Sequence, residues 1–142
     1  MSLLLLLTAC NHHADTADSG DTADTDWTEE VALTTEGGTY YVMYSPTPDP
    51  IPFNEPFSMY WMAHDGADHG VMFEDADLAL DITMPEHGHG MNTVPTVTRD
   101  EMGGFDVTGS LFHMRGWWAM QATVTRGEVV ESATFYVECC EG

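Results

Sequence analysis

From residue 39 onward, apolar and polar residues alternate with a period of two, in short runs that Pro and Gly interrupt. This period places the apolar side chains on one face of a β-strand. No segment keeps the 3.6-residue apolar period of an amphipathic helix. The runs that predict strands are 39–44, 56–63, 78–82, 105–112, 117–125 and 129–137. The chain is therefore predicted to be all-β.

The turns between these runs indicate how the strands are arranged. Arg126, Gly127 and Glu128 form a short turn between the last two runs, which should pair as a hairpin. Roughly a hundred residues follow position 36, enough for one compact domain. Short strands at this density are typical of a sandwich. We expect a single immunoglobulin-like antiparallel β-sandwich of about six to seven strands after a disordered N-terminal tether.

The chain begins with an apolar segment followed by a cysteine. Residues 1–9 are far too short to span a bilayer as a helix, which needs ~20 residues. Leu7-Thr8-Ala9-Cys10 resembles a bacterial lipobox, and this implies cleavage before Cys10 and lipid attachment to Cys10. Residues 1–9 are thus predicted to be a lipoprotein signal peptide. The membrane would be a partner through the N-terminal lipid anchor, with the protein at the bacterial cell envelope, on a periplasmic or outer-membrane surface.

Residues 10–36 have a different composition. The sequence Asp-Thr-Ala-Asp occurs twice, at 15–18 and 21–24, and large apolar side chains are almost absent. Such a segment cannot bury enough surface to offset the entropy of ordering. Alternating Asp could bind calcium, but the Asp-x-Asp-x-Asp-Gly pattern of an EF-hand loop is missing. We interpret residues 10–36 as lipidated Cys10 with an acidic tether, and 37–142 as the folded domain.

The charge balance restricts the partners of the surface. The chain has 24 acidic residues against three arginines, and its net charge is −21. This disfavours nucleic acid and anionic lipid as surface partners. It attracts cations diffusely, and it is also compatible with a saline habitat. No nucleic-acid partner is expected.

The segment 84–91, Met-Pro-Glu-His-Gly-His-Gly-Met, carries the clearest chemistry. Imidazole binds Cu(I) or Cu(II), and thioether sulfur selects Cu(I). The two glycines let the backbone bend so that side chains can converge. A second group, His113 and Met114, follows later in the chain. The candidate metal ligands are Met84, His87, His89, Met91, His113 and Met114.

A plainer interpretation of the same residues stays open. A Gly/His-rich turn between strands is common, its histidines can simply be solvated, and Met84 can be the last core residue of its strand. His113 and Met114 also fall in opposite phases of the alternation, so both cannot point inward from one unbroken strand. The strand must end or bulge near Phe112 if both are to join a site.

Several segments together resemble the YtkA-like family, which is related to the FixH-type periplasmic domains. The matching segments are 52–57, 84–91, Pro95 with Val97, 104–107 and 111–117. The resemblance implies an immunoglobulin-like sandwich in an envelope protein of the kind suspected of copper handling. It carries the six candidate ligands over as copper ligands, with copper as the ligand held or transferred and a copper donor or acceptor protein as partner.

Two other functions compete with copper binding. The domain could be a metal-free interaction module, in which case the aromatics Tyr40, Tyr41, Tyr60 and Tyr136 would form the contact surface. An enzyme is not expected, because no nucleophile motif is present and the His-x-His pattern lacks the carboxylate of a cupin.

The adjacent Cys139 and Cys140 leave three alternatives. They could form a vicinal disulfide, act as metal ligands or remain unpaired. Nothing in the spacing matches a CxxC or zinc-finger motif.

Overall fold

The computed structural model describes residues 27–140, and in that range it contains strands and no helix. Two antiparallel sheets enclose one hydrophobic core, with strand orders β1-β2-β3-β7-β6 and β5-β4-β8-β9. The strands are β1 Ala32–Thr34, β2 Tyr40–Thr47, β3 Phe57–Asp65, β4 Asp77–Met84, β5 His89–Gly90, β6 Thr96–Arg99, β7 Phe105–Ser110, β8 Gly116–Arg126 and β9 Val129–Cys139. The predicted all-β sandwich is confirmed. No helix in the described range is long and apolar enough to cross a membrane.

The six predicted runs coincide with β2, β3, β4, β7, β8 and β9. The alternation was informative there because each of these strands has one face on the core. In β8, for example, Trp118, Met120, Ala122 and Val124 are all buried. Arg126 pairs with Val129, so Gly127 and Glu128 form the predicted hairpin loop.

Strand β2 runs further than the sequence suggested. It continues through Pro46 to Thr47, although the Pro-rich segment was expected to end it. Strand β1 pairs with β2 only over Tyr41–Met43, so beyond Tyr44 the strand is an edge on that side. Proline is tolerated at such an edge because its missing N–H leaves no ladder bond unmade.

The core is aromatic and contains one tyrosine that was expected at the surface. Trp61 stacks on Tyr44 with ring centroids 4.8 Å apart and contacts Phe135 edge-on at 5.2 Å. Tyr40 is only 1 % exposed, and its hydroxyl donates to the Val129 carbonyl oxygen at 2.8 Å. Tyr40 lies in the inward phase of β2, so its assignment to an exposed aromatic contact surface was wrong.

The structure also differs from the predicted tether over residues 27–36. Trp27 stacks on Tyr136 with centroids 5.0 Å apart, Leu33 packs against the core, and β1 pairs with β2. These few apolar side chains find distant partners, which composition alone could not show. The folded part therefore begins before residue 37. The predicted signal peptide 1–9, Cys10 and tether residues 11–26 lie outside the described residues.

Strand β7 ends just before the candidate ligands His113 and Met114, which can join one site only if the strand is interrupted. Its pairing with β3 shifts between Phe57 and Met59, and Gly109 has φ +81°. The strand stops at Ser110, so residues 111–115 are not in a ladder. This confirms that the chain leaves the regular strand geometry near Phe112.

Glu131 on β9 is hydrogen-bonded to the β1–β2 turn, and these bonds make the free energy of unfolding pH-dependent. Its carboxylate accepts hydrogen bonds from Thr35 Oγ1 at 2.6 Å and from Thr39 N at 3.1 Å, and from Thr39 Oγ1. These bonds, from Thr35 first, lower the pKa of Glu131 from its usual value of 4.5. A lowered folded-state pKa stabilises the protein above about pH 4.5, and this stabilisation is lost as the pH falls further.

We therefore expect Glu131→Gln to be less stable than the wild type at neutral pH, with the difference shrinking at about pH 3. Urea denaturation midpoints at both pH values measure this. Glu128→Gln, in the exposed β8–β9 turn, controls for loss of one negative charge and should show no such pH-dependent difference. An equal gap between the wild type and Glu131→Gln at both pH values would contradict the role of the carboxylate.

Candidate metal site

The turn between β4 and β5 presents the His-x-His motif. Met84 and His89 are register partners, and residues 85–88 connect them. The Met84 carbonyl oxygen accepts hydrogen bonds from the N–H groups of His87 at 3.1 Å and Gly88 at 2.9 Å. Gly88 has φ +68°, a conformation that favours glycine. Register partners share a sheet face, so His89 lies on the inward face beside Met84, while His87 is exposed in the turn.

Three imidazoles follow one another across this end of the sandwich. The ring centroids of His87 and His89 are 5.8 Å apart, and those of His89 and His113 are 5.4 Å apart. Two imidazoles that share an ion, each with a nitrogen about 2.0 Å from it, have centroids about 5 to 6 Å apart. The fold thus brings His113 to the motif, from which it is separated by more than twenty residues.

The hydrogen bonds of these rings indicate which nitrogens are available. His89 Nδ1 lies 2.9 Å from the Gly90 carbonyl oxygen. A carbonyl oxygen only accepts, so Nδ1 carries the proton and Nε2 keeps the lone pair that binds a metal. His113 Nδ1 is buried and has no hydrogen-bond partner among the described residues. Buried polar atoms normally have partners, so this nitrogen is available to bind a ligand.

The three candidate methionines are placed differently. Met84 is fully buried in the core at 0 % exposure, and its methyl group packs over Gly116. Met91 Sδ accepts a hydrogen bond from the Leu111 N–H at 3.5 Å, which ties the motif to the 111–114 segment. Met114 and Met91 are partly buried against the core. Met84 therefore serves as a core residue whatever else it does, and Met91 has the clearest position beside the histidines.

Trp118 packs against His89 and His113 from the core side, a contact that the sequence did not reveal. Its ring contacts His113 edge-on at 5.5 Å and His89 at 6.3 Å, measured between centroids. It stacks on Phe112 at 4.5 Å, and its Nε1 donates to the Met114 carbonyl oxygen at 3.0 Å. The alternation placed Trp118 in the core, but contact between strand β8 and the turn depends on tertiary structure.

Within residues 27–140, no group of three or more His, Cys, Asp and Glu side chains is arranged to hold a metal ion. Thioether sulfur would therefore have to complete a ligand set built on the imidazoles. The donors present, neutral imidazole and thioether, suit a soft monovalent copper ion in chemical type.

A separate cleft of about 490 Å³ contains the cysteine pair. Cys139 and Cys140 are joined in a disulfide, one of the three alternatives that the sequence left open. Glu29, Asp49 and Tyr44 also line this cleft, and burial followed by the two carboxylates raises the pKa of Tyr44 to about 12. None of the six predicted ligands lines this cleft.

Comparison with known proteins supports the fold and does not extend to function. The chain is similar in structure to a DUF4426 family protein from Pseudomonas aeruginosa, solved by crystallography, with a TM-score of 0.54 and 11 % sequence identity. The match covers 77 % of this chain and 94 % of the other. No family model matches the sequence, and no curated protein matches it. Membership of the YtkA-like family stays a prediction.

Proposed function

We propose that this protein is an envelope lipoprotein whose β-sandwich binds Cu(I) for holding or transfer. The observation that carries the proposal is the convergence of two separate segments. Residues 84–91 bring two imidazoles and residues 111–114 bring a third, with His89 between the other two. Imidazoles that share an ion must lie this close together, whereas solvated loop histidines need not.

The role proposed for each ligand residue in binding the ion follows from its exposure. His89 Nε2 and His113 would bind the ion first, since both rings lie partly buried against Trp118. Met91, two residues after His89 and hydrogen-bonded to Leu111, supplies a sulfur, and exposed His87 provides the position from which the ion enters or leaves. Cu(I) is the cargo and no bond is made or broken in the protein. A metal competes with protons for its histidine ligands, so affinity should fall as the pH is lowered.

The cellular setting comes from the sequence. The lipobox around Cys10 supports a lipid anchor at the bacterial envelope, and the resemblance to the YtkA-like family supports copper handling there. The acidic segment after Cys10 would keep the domain away from an anionic membrane surface through charge repulsion. Copper would arrive from or pass to another envelope protein by ligand exchange.

The proposal is tested by anaerobic Cu(I) titration of the full chain against a competing chelator, beside a His89→Ala/His113→Ala double variant. Changing a residue that only hydrogen-bonds to a metal ligand already lowers metal affinity by about 10- to 100-fold. Loss of two ligands should therefore weaken binding at this site by about 100-fold or more. X-ray absorption should detect nitrogen and sulfur neighbours of copper in the wild type.

A pair of methionine variants provides the matched control. Met91→Leu removes the sulfur beside Leu111, whereas Met102→Leu removes a sulfur at a residue that is 71 % exposed. Only Met91→Leu should weaken binding and reduce the sulfur signal. If the double variant binds Cu(I) as tightly and in the same ratio as the wild type, the copper proposal for this site fails. The metal-free interaction module would then be the better interpretation.

A further inference from the structure

The outward face of the five-stranded sheet carries a second group of sulfur and imidazole side chains. In β2 and β3 the inward phase is buried, and the outward phase is only partly so. Met43 on β2 and Met62 on β3 are register partners in that outward phase. His64 follows Met62 by two residues and so lies on the same face. None of these residues belongs to the motif at 84–91.

His64 lies between two neighbours on this face. It is the register partner of Tyr41 on β2, and a β-bridge on its other side pairs it with Met72. Directly opposed residues have Cβ atoms about 4.5 to 5.5 Å apart, so the Met72 thioether is within reach of the imidazole. His69 stacks on Tyr41 with ring centroids 3.6 Å apart, which places a second imidazole at the border of the group.

The His64 ring has an unusual hydrogen-bond state. Both its nitrogens are buried, and neither has a hydrogen-bond partner among the described residues. Leaving one such buried donor or acceptor unpaired costs about 1 to 3 kcal/mol. If the methionines only covered apolar surface, this cost would have no compensation. A ligand for His64 would remove this cost, and the neighbouring residues Met72 and Met62 both carry thioethers.

The two aspartates nearest in sequence each use one carboxylate oxygen for a bond to the backbone. Asp65 Oδ1 accepts a hydrogen bond from the Ala67 N–H at 2.8 Å, and Asp68 Oδ1 accepts one from the Gly70 N–H at 3.1 Å. Both bonds stay within the loop that follows β3. The donors placed beside the His64 ring by strand register are thioethers, which select a soft monovalent cation over calcium or magnesium.

We propose that His64, Met62 and Met72 form a second binding site for a soft monovalent metal ion, Cu(I) or its analogue Ag(I), with Met43 and His69 at its border. Its residues lie on β2, on β3 and in the segment that follows β3, whereas the motif turn belongs to the other sheet. A result for or against this second site therefore does not decide the function proposed for the His89 and His113 site. A protein with both sites holds two ions.

The test is Ag(I) titration of the full-length His89→Ala/His113→Ala variant, followed by NMR of the methionine methyl groups and histidine nitrogens. We expect the Met62 and Met72 methyl signals and the His64 nitrogens to shift together as one ion binds. Met59 is the internal control, because it is on the same strand and its side chain is buried on the opposite face at 2 % exposure. Its methyl signal should not move.

Two variants make the assignment specific. In His64→Gln the shifts of Met62 and Met72 should disappear, and in Met72→Leu, which keeps the apolar volume, the His64 nitrogens should no longer shift. The second variant keeps the test valid if the first does not fold. Unmoved Met62 and Met72 signals, or equal shifts in both variants and their parent, would overturn the site. Loss of Cu(I) binding at His89 and His113 alone would leave it standing.

Discussion

Trp118→Ala should lower the free energy of unfolding by about 3 to 5 kcal/mol, one of the two largest effects expected in this chain. Trp118 is 0 % exposed and stacks on Phe112, so truncation leaves a large cavity. It also leaves the Met114 carbonyl oxygen without its indole N–H donor. The same ring contacts His89 and His113, so Trp118→Ala should lower the Cu(I) affinity as well as the stability. Urea denaturation and Cu(I) titration measure the two effects.

A graded series separates packing from the hydrogen bond. Trp118→Phe retains an aromatic ring against Phe112 and loses the N–H donor, so it should be less destabilising than Trp118→Ala. Met102→Ala truncates a side chain that is 71 % exposed and should change stability by no more than about 0.5 kcal/mol. If Trp118→Ala costs no more than Met102→Ala, the core does not contain this ring in solution.

The strands that sequence reasoning found are those with one buried face. The three it missed have no such signal. Strand β6, Thr96–Arg99, is exposed at all four positions, and β1 and β5 have only three and two residues. Such elements are made by pairing with a neighbouring strand and not by their own pattern. The order of strands within each sheet was not predicted either, because it depends on contacts between distant segments.

The candidate site was predictable in part for the same reason. His87 and His89 are close because they are two residues apart in a turn, and the motif showed this directly. The other contacts join segments that are far apart in the sequence. They are the approach of His113 to His89, the hydrogen bond between Met91 and Leu111, and the packing of Trp118 against the histidines. Met62 and His64 are two residues apart in β3, so period-two alternation alone places both side chains on one face.

Gly66→Ala should also destabilise the protein strongly, by about 3 kcal/mol or more. Gly66 follows β3, and its N–H donates to the Thr39 carbonyl oxygen at 2.9 Å. A Cβ here would overlap the Gly38 carbonyl oxygen and lie 3.0 Å from the Thr39 carbonyl carbon. These are backbone atoms, so no side-chain rotation relieves the overlap, and the loop must separate from the β1–β2 turn. Urea denaturation measures the loss.

Two other glycines show that the cost at Gly66 is one of space. Gly70 is in the same loop, and a Cβ there would meet only Asp68 Oδ1 at 3.3 Å, so Gly70→Ala should cost no more than about 0.5 kcal/mol. Gly38 has φ +80° and open space around it, so Gly38→Ala should cost about 1 kcal/mol through its backbone conformation alone. The expected order of destabilisation is therefore Gly66, Gly38, Gly70. If Gly66→Ala were no worse than Gly70→Ala, the close backbone approach between Gly66 and Gly38 would not exist in solution.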